Sequence, residues 1–296
     1  MNDKISTVAV VGVGAVGTTL ASALGRAGHS VIACDRYSTN RGPLVVEYDD
    51  GSRFETDCRW LTTPEDVDQV VDWVIVATKL HDTAGATEWT RRLCHENTTV
   101  VVAQNGVDHS DRLEGCGGSR IVPALVYLNI DRIDSGHVRV RHTGQDLIVP
   151  DSGGGREVHG LFSDSGLVVE RTADFITASW SKLLANVSAN PITTLTGRGC
   201  EVLRVPLVAR LAEQILEEAA AVGRAEGAVF GTDIVSATMT WLQSLPDGAK
   251  TSMLQDREAG RPLEWVGLTG AVVRAADRHN LEVPANRAMQ ALLSAV

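Results

Sequence analysis

Three glycines near the start of the chain constrain its fold more than any other feature. Gly12, Gly14 and Gly17 form a G-x-G-x-x-G pattern between an apolar run at 6–11 and a helical pattern at 15–27. In such a strand–loop–helix unit, the glycines permit a tight turn, close approach of a pyrophosphate and close helix packing. The helix N-terminus then offers N–H groups to the phosphates. The pattern predicts a Rossmann-type dinucleotide site at Gly12, Gly14, Ala15, Val16 and Gly17.

The second predicted strand, at 31–35, ends in two residues that bear on the kind of dinucleotide. An acidic residue about 20 positions beyond the glycine loop binds the ribose 2′-hydroxyl of NAD, whereas a nearby arginine pairs with the 2′-phosphate of NADP. Asp35 and Arg36 stand side by side at this position. On these residues alone, both NAD and NADP remain open.

The rest of the first half alternates short apolar runs with amphipathic stretches, which is typical of a parallel sheet covered by helices. Strands are predicted at 73–77 and 98–103, with a helix at 82–94 between them. Lys79 and Asn105 follow these two strands. Because ligands of such sheets bind at the carboxyl ends of the strands, both residues are predicted to contact the dinucleotide.

The character of the sequence changes near residue 173. Beyond it, apolar residues recur at three- and four-residue spacing, which predicts helices at 174–190, 205–227, 233–245 and 263–280. The fold class is therefore α/β, with an N-terminal Rossmann-type domain at 1–172 and a C-terminal all-helical domain at 173–296. The small-residue cluster at 151–155 is interpreted as a loop.

Charge and cysteine content narrow the possible partners. A formal net charge of −10 argues against nucleic acid or an anionic membrane surface as the main partner. No cysteine pair has C-x-x-C spacing, so neither a zinc site nor a disulfide framework is predicted, and no metal ligand is assigned. Scattered cysteines, odd in number, fit a reducing cytoplasm best.

A polar stripe marks the first predicted helix of the second half. Lys182, Asn186 and Asn190 are spaced four residues apart and therefore lie along one helix face, in a segment that is otherwise apolar. Reduction of a ketone requires a proton donor for the developing alkoxide and fixed polar groups for the rest of the substrate. These three residues are candidates for both tasks.

The chain resembles the ketopantoate reductases, also called 2-dehydropantoate 2-reductases. Besides the glycine loop, the resemblance rests on five segments: Lys79, Gln104-Asn105-Gly106, the W-x-K-x-x-x-N-x-x-x-N-P pattern at 180–191, T-S-M-L-Q-D at 251–256 followed by Glu264, and Val283-Pro284-Ala285-Asn286. It implies NADPH-dependent reduction of a 2-keto acid in a cleft between the two domains, as part of pantothenate biosynthesis. It is also compatible with a homodimer.

The resemblance assigns roles to individual residues. Lys182 is similar to the lysine that protonates the alkoxide, and Glu264 to its acidic partner. Ser252 and Asn105 are similar to contacts of the substrate carboxylate, and Asn186 and Asn190 to groups that hold the substrate. Ser252 is also a candidate N-cap of the following helix.

Three positions depart from the family pattern. Cys200 stands near a position where relatives carry asparagine, Val266 replaces an aspartate, and Thr269 replaces the asparagine of an Asn-Gly pair. These changes make a bulkier or less polar 2-keto acid a candidate substrate in addition to 2-dehydropantoate.

Two alternatives belong to other classes of protein. One is a 3-hydroxyacid or opine-type dehydrogenase, which also joins a Rossmann domain to helices. The other is a non-catalytic NAD(P)-sensing protein.

Overall fold

The computed structural model describes residues 5–39, 41–109, 112 and 120–296, so Cys116 lies outside the described residues. The chain divides into two units. The first contains the residues up to Gln104 together with His109–Ala173, and the second contains Asn105–Asp108 together with Asp174–Val296. The short segment Asn105–Asp108 thus belongs to the second unit, although it lies in the middle of the first unit's sequence.

A parallel sheet forms the centre of the first unit. Its strands occur in the order β5-β2-β1-β6-β7-β8, and each neighbouring pair is parallel. Their bounds are β1 Thr7–Val11, β2 Ser30–Cys34, β5 Arg59–Leu61, β6 Trp73–Val76, β7 Thr99–Val102 and β8 Arg120–Pro123. The strand order reverses between β1 and β6, and in open α/β sheets this is the place where ligands bind. The predicted Rossmann-type fold is confirmed.

Two smaller sheets complete the strands described in the first unit. One has the order β10-β11-β3-β4, and the other has the order β13-β12-β9. Their bounds are β3 Leu44–Tyr48, β4 Arg53–Thr56, β9 Leu125–Val126, β10 Asn129–Asp134, β11 His137–Arg141, β12 Leu147–Pro150 and β13 Val169–Thr172. The described α-helices of the first unit are α1 Ala15–Arg26, α2 Thr83–Leu93 and α3 Gly153–Leu161. Apolar side chains on both faces of the central sheet are buried by these elements.

Among its described residues, the regular secondary structure of the second unit is helical. Its α-helices are α4 Phe175–Thr196, α5 Pro206–Ala225, α6 Ile234–Ser244, α7 Ser252–Glu258, α8 Thr269–His279 and α9 Pro284–Leu293. One apolar core joins them, and Val107 of the short segment packs against that core. The predicted helical second half is confirmed. No described helix combines the length and apolar character needed to cross a membrane.

Several predicted boundaries were wrong. The helix expected to end at Asn190 continues through Pro191 to Thr196. Proline costs an interior helix about 3 kcal/mol, but Pro191 and its neighbours are buried in the core, so packing outweighs this preference. The helix expected over 263–280 is divided, because Leu268 (φ −108°, ψ −90°) separates a short 3-10 turn from α8.

The cluster at 151–155 is also not a loop. Ser152 caps α3 by accepting a hydrogen bond from the Gly155 N–H group at 3.1 Å. A Cβ atom on Gly155 would lie 1.7 Å from the Pro150 carbonyl oxygen, so glycine is required there for close packing.

Candidate functional site

The glycine loop has the geometry that close approach of a phosphate requires. Gly12 has a φ of +89°, and a Cβ atom on Gly17 would lie 1.9 Å from the Gly12 carbonyl oxygen. By contrast, a Cβ atom on Gly14 would meet no atom within 4 Å. Gly14 is also the N-cap of α1, and no side chain among the described residues caps this helix. The open backbone and the N–H groups of α1 suit a dinucleotide pyrophosphate.

Asp35 braces this loop through backbone hydrogen bonds. One of its carboxylate oxygens accepts from the Val13 N–H group at 2.9 Å, and the other accepts from the N–H groups of Tyr37 at 2.8 Å and Ser38 at 3.0 Å. The carboxylate thus joins the glycine loop after β1 to the turn after β2. Three N–H donors also offset part of its negative charge.

Arg36 makes its contact with helix α2. Its guanidinium forms an ion pair with Glu88 on α2. Both side chains are substantially exposed, at 35% and 58%. Exposed pairs of this kind contribute about 0.2–1 kcal/mol, so this contact holds Arg36 only weakly.

Gln104 connects the ends of two strands beneath the same loop. Its buried side-chain NH₂ group lies 3.0 Å from both the carbonyl and hydroxyl oxygens of Thr78, and 3.3 Å from the Thr83 hydroxyl. In the sequence, Lys79 lies between Thr78 and Thr83. Thr78 also packs directly under Gly12, where a Cβ atom would approach it to 2.7 Å. The sequence pattern contained Gln104 but gave it no role; its position at the carboxyl end of a strand was the available signal.

In the second unit, Lys182 meets the short segment Asn105–Asp108. The ammonium group of Lys182, on α4, donates a hydrogen bond to the Asn105 side-chain oxygen at 3.1 Å. Asp108 forms an ion pair with Arg274 of α8 at 3.3 Å. Gly106, with a φ of +100°, allows the turn between Asn105 and Asp108. Asn105 is therefore held beside the predicted proton donor.

Glu264 supplies the nearby negative charge. The residue is buried, at 7% exposure. Burial lowers the pKa of Lys182 from 10.5 to about 8, and the charge of Glu264 opposes this effect. A lysine with a pKa near the working pH both holds a proton and releases it readily. The structure thus brings Lys182, Asn105 and Glu264 together.

The remaining predicted site residues lie elsewhere in the same unit. Asn186 and Asn190 continue the Lys182 face along α4, and Asn190 is buried. Ser252 is the exposed first residue of α7, but Thr251 is the residue that caps this helix by accepting from Leu254 N–H at 3.3 Å. The expectation that Ser252 is the N-cap was wrong, and capping does not occupy its hydroxyl group.

Comparison with known proteins assigns both halves of the chain to one family. Residues 8–152 match the family model "Ketopantoate reductase PanE/ApbA", and residues 174–296 match its C-terminal counterpart. The chain belongs to the ketopantoate reductase family. Its 2-dehydropantoate 2-reductase relative from Mycobacterium tuberculosis (strain ATCC 25618 / H37Rv) is 37% identical over 289 residues, which cover 97% of each chain.

Two further ketopantoate reductases extend the comparison. A 2-dehydropantoate 2-reductase from Caulobacter vibrioides is 33% identical over 98% of this chain and 99% of its own. A dimeric ketopantoate reductase from Staphylococcus aureus superposes with a TM-score of 0.85 at 28% identity, covering 98% of both chains. Family membership makes this chain an oxidoreductase that uses a nicotinamide dinucleotide.

Proposed function

We propose that this protein reduces 2-dehydropantoate to the 2-hydroxy acid with NADPH, and that Lys182 is the proton donor. The observation that carries the proposal is the arrangement of three residues in the second unit: half-buried Lys182 and Asn105 form a hydrogen bond, and the charge of buried Glu264 acts on Lys182. A bound reduced nicotinamide supplies the hydride that the carbonyl carbon receives. Lys182 gives its proton to the carbonyl oxygen, so that a hydroxyl group forms and the lysine becomes neutral.

Glu264 keeps Lys182 ready for this step. Burial alone favours the neutral amine, whereas the carboxylate favours the ammonium form. At neutral pH, a lysine with a pKa of about 8 is mostly protonated. Glu264 therefore preserves the proton that the reaction consumes, and it is also placed to act on the substrate hydroxyl.

The substrate-binding assignments extend this site. We assign the substrate carboxylate to Ser252 and Asn105, and the other polar atoms to Asn186 and Asn190. Neutral hydroxyl and amide groups bind a carboxylate without a second buried cation.

The positions of the three family departures bear on the choice of substrate, and we keep 2-dehydropantoate as the first candidate. Cys200 and Thr269 are both buried, at 3% and 0% exposure, whereas Val266 is 52% exposed. The Thr269 hydroxyl also has no hydrogen-bond partner among the described residues. The substitutions at Cys200 and Thr269 are therefore changes of interior packing. A bulkier 2-keto acid is the second substrate candidate.

NADPH is favoured over NADH by the roles of two adjacent residues. Asp35 is engaged by three backbone N–H groups, so its carboxylate primarily braces the loop. Arg36 is held by a weak surface ion pair and is therefore available to a 2′-phosphate. The loop residues Gly12, Gly14, Ala15, Val16 and Gly17 would hold the pyrophosphate. Lys79 and Asn105 are assigned further contacts with the dinucleotide.

Two features of the whole chain are included in the proposal. We assign it a homodimeric state because the similar ketopantoate reductase from Staphylococcus aureus is dimeric. We assign it to the cytoplasm because its cysteines are scattered and odd in number, as is typical of proteins in a reducing compartment. Neither the opine-type dehydrogenase nor the non-catalytic sensor is favoured, since the family matches span both halves of the chain.

Replacement of the proton donor tests the proposal. Lys182→Ala is expected to fold and to bind NADPH with unchanged Kd, but to lose about 10²–10⁴-fold in kcat, the usual contribution of general acid catalysis. Lys250→Ala removes an exposed lysine of the same unit and serves as the matched control. A Lys182→Ala enzyme that retains wild-type kcat would show that another group donates the proton.

A further inference from the structure

The Arg36 side chain rests on a defined surface of α2. Its guanidinium pairs with Glu88, and a Cβ atom on Gly85 would lie 3.5 Å from the Arg36 Nη1 atom. Gly85 and Glu88 are three residues apart and therefore share one face of the helix. The guanidinium therefore lies within van der Waals range of the Gly85 position, and Glu88 pairs with its end.

This surface competes with a 2′-phosphate for the same guanidinium. An arginine binds phosphate and carboxylate through the same N–H groups, so one ligand displaces the other. A carboxylate that stays beside the guanidinium also repels the incoming phosphate. NADH has no 2′-phosphate and does not enter this competition.

We propose that Glu88 reduces the preference of this protein for NADPH over NADH by competing with the 2′-phosphate of NADPH for Arg36. Glu88 acts through Arg36 and is a positioning residue. This inference rests on the proposed binding of NADPH. It adds that Glu88 of α2, an element separate from the glycine loop and β2, weakens that binding. The loss of Glu88 is expected to strengthen NADPH binding and to leave NADH binding unchanged.

The test is direct measurement of dinucleotide affinity. Kd values for NADPH and NADH are measured by fluorescence titration, without 2-keto acid, for wild type, Glu88→Gln and Glu157→Gln. Glu157 forms an exposed ion pair with Arg120 in the same unit, so its replacement changes the net charge equally. Glu88→Gln is expected to lower the Kd for NADPH about three- to tenfold and to leave the Kd for NADH within about 1.5-fold, as estimated for one exposed ion pair and one like charge.

A double-mutant cycle with Arg36→Ala assigns the effect to the pair. In the Arg36→Ala background, Glu88→Gln is expected to lower the Kd for NADPH by less than it does in wild type, because only the like-charge repulsion is then removed. The inference is overturned if Glu88→Gln weakens or does not change NADPH binding, or if it changes both dinucleotides equally. Because these titrations contain no 2-keto acid, failure of the proposed reductase activity would leave their result unaffected.

Discussion

At the scale of single residues, the proposed chemistry depends on the ionisation of Lys182. Its pKa of about 8 lies well below the ordinary lysine value, because burial removes water from the ammonium group. The proton donor is therefore present below pH 8 and is lost above it. For the reduction reaction, kcat/KM is expected to be constant near pH 7 and to fall about tenfold per pH unit above pH 8. A profile that stays flat to pH 10 would exclude Lys182 as the donor.

Glu264 is expected to move this pH limit. Its charge raises the pKa of Lys182, so Glu264→Gln is expected to shift the alkaline limb of the pH profile to lower pH. Glu258→Gln provides a control of the same charge change, since Glu258 pairs with the exposed Lys250 in the same unit. An unchanged limb in Glu264→Gln would mean that this carboxylate does not control the lysine.

At the scale of elements, Gln104 joins the ends of β6 and β7 beneath the glycine loop. Gln104→Leu keeps the approximate size of the side chain but removes every hydrogen bond from its NH₂ group. We expect the Kd values for NADPH and NADH to rise about tenfold, corresponding to about 1.4 kcal/mol. Thr194→Val, which removes a buried hydroxyl in the second unit, is the control. Equal Kd values for Gln104→Leu and wild type would contradict this role.

Helix α9 offers a test of stability that is separate from the chemistry. Glu218 of α5 accepts hydrogen bonds from the N–H groups of Ala285 and Asn286 and from the Asn286 side chain, each at 2.9 Å. Glu218→Ala is expected to lower the Tm by about 2–4 °C, the shift expected for loss of a helix cap, without changing kcat. The exposed neighbour Glu217 provides the control Glu217→Ala. Equal melting temperatures in calorimetry would remove Glu218 from the account of this helix.

The elements also show how far sequence reasoning reaches. Strong local signals predicted β1, α1 and the all-helical half, because glycine spacing and apolar periodicity depend on neighbouring residues. Helix α4 was predicted too short, since the burial that tolerates Pro191 depends on distant helices. Lys182 was found by its spacing with Asn186 and Asn190. Its hydrogen bond to Asn105 spans 77 positions and has no local pattern.

Roles shared between adjacent residues were harder to predict. The sequence did not distinguish the roles of Asp35 and Arg36, because the hydrogen-bond and ion-pair partners of their side chains include residues on other elements. In the structure, Asp35 accepts hydrogen bonds from the loop backbone, and Arg36 forms an ion pair with Glu88 of α2. Likewise, Thr251 and Ser252 are equally suited to cap a helix, and only backbone geometry selects Thr251.

At the scale of the whole molecule, the proposed dimer has a simple test. Light scattering coupled to size exclusion is expected to give twice the mass of one 31.6 kDa chain. The measurement is repeated over a range of protein concentrations, because association depends on concentration. A mass of one chain throughout that range would contradict the assignment.

The central claim is that the whole enzyme reduces 2-dehydropantoate. Steady-state oxidation of NADPH and of NADH is measured with 2-dehydropantoate and with a panel of 2-keto acids of increasing bulk and decreasing polarity. We expect the highest kcat/KM with NADPH and 2-dehydropantoate, and formation of the 2-hydroxy acid in an amount equal to the NADPH oxidised. Absence of dinucleotide oxidation with every 2-keto acid of the panel would contradict this expectation.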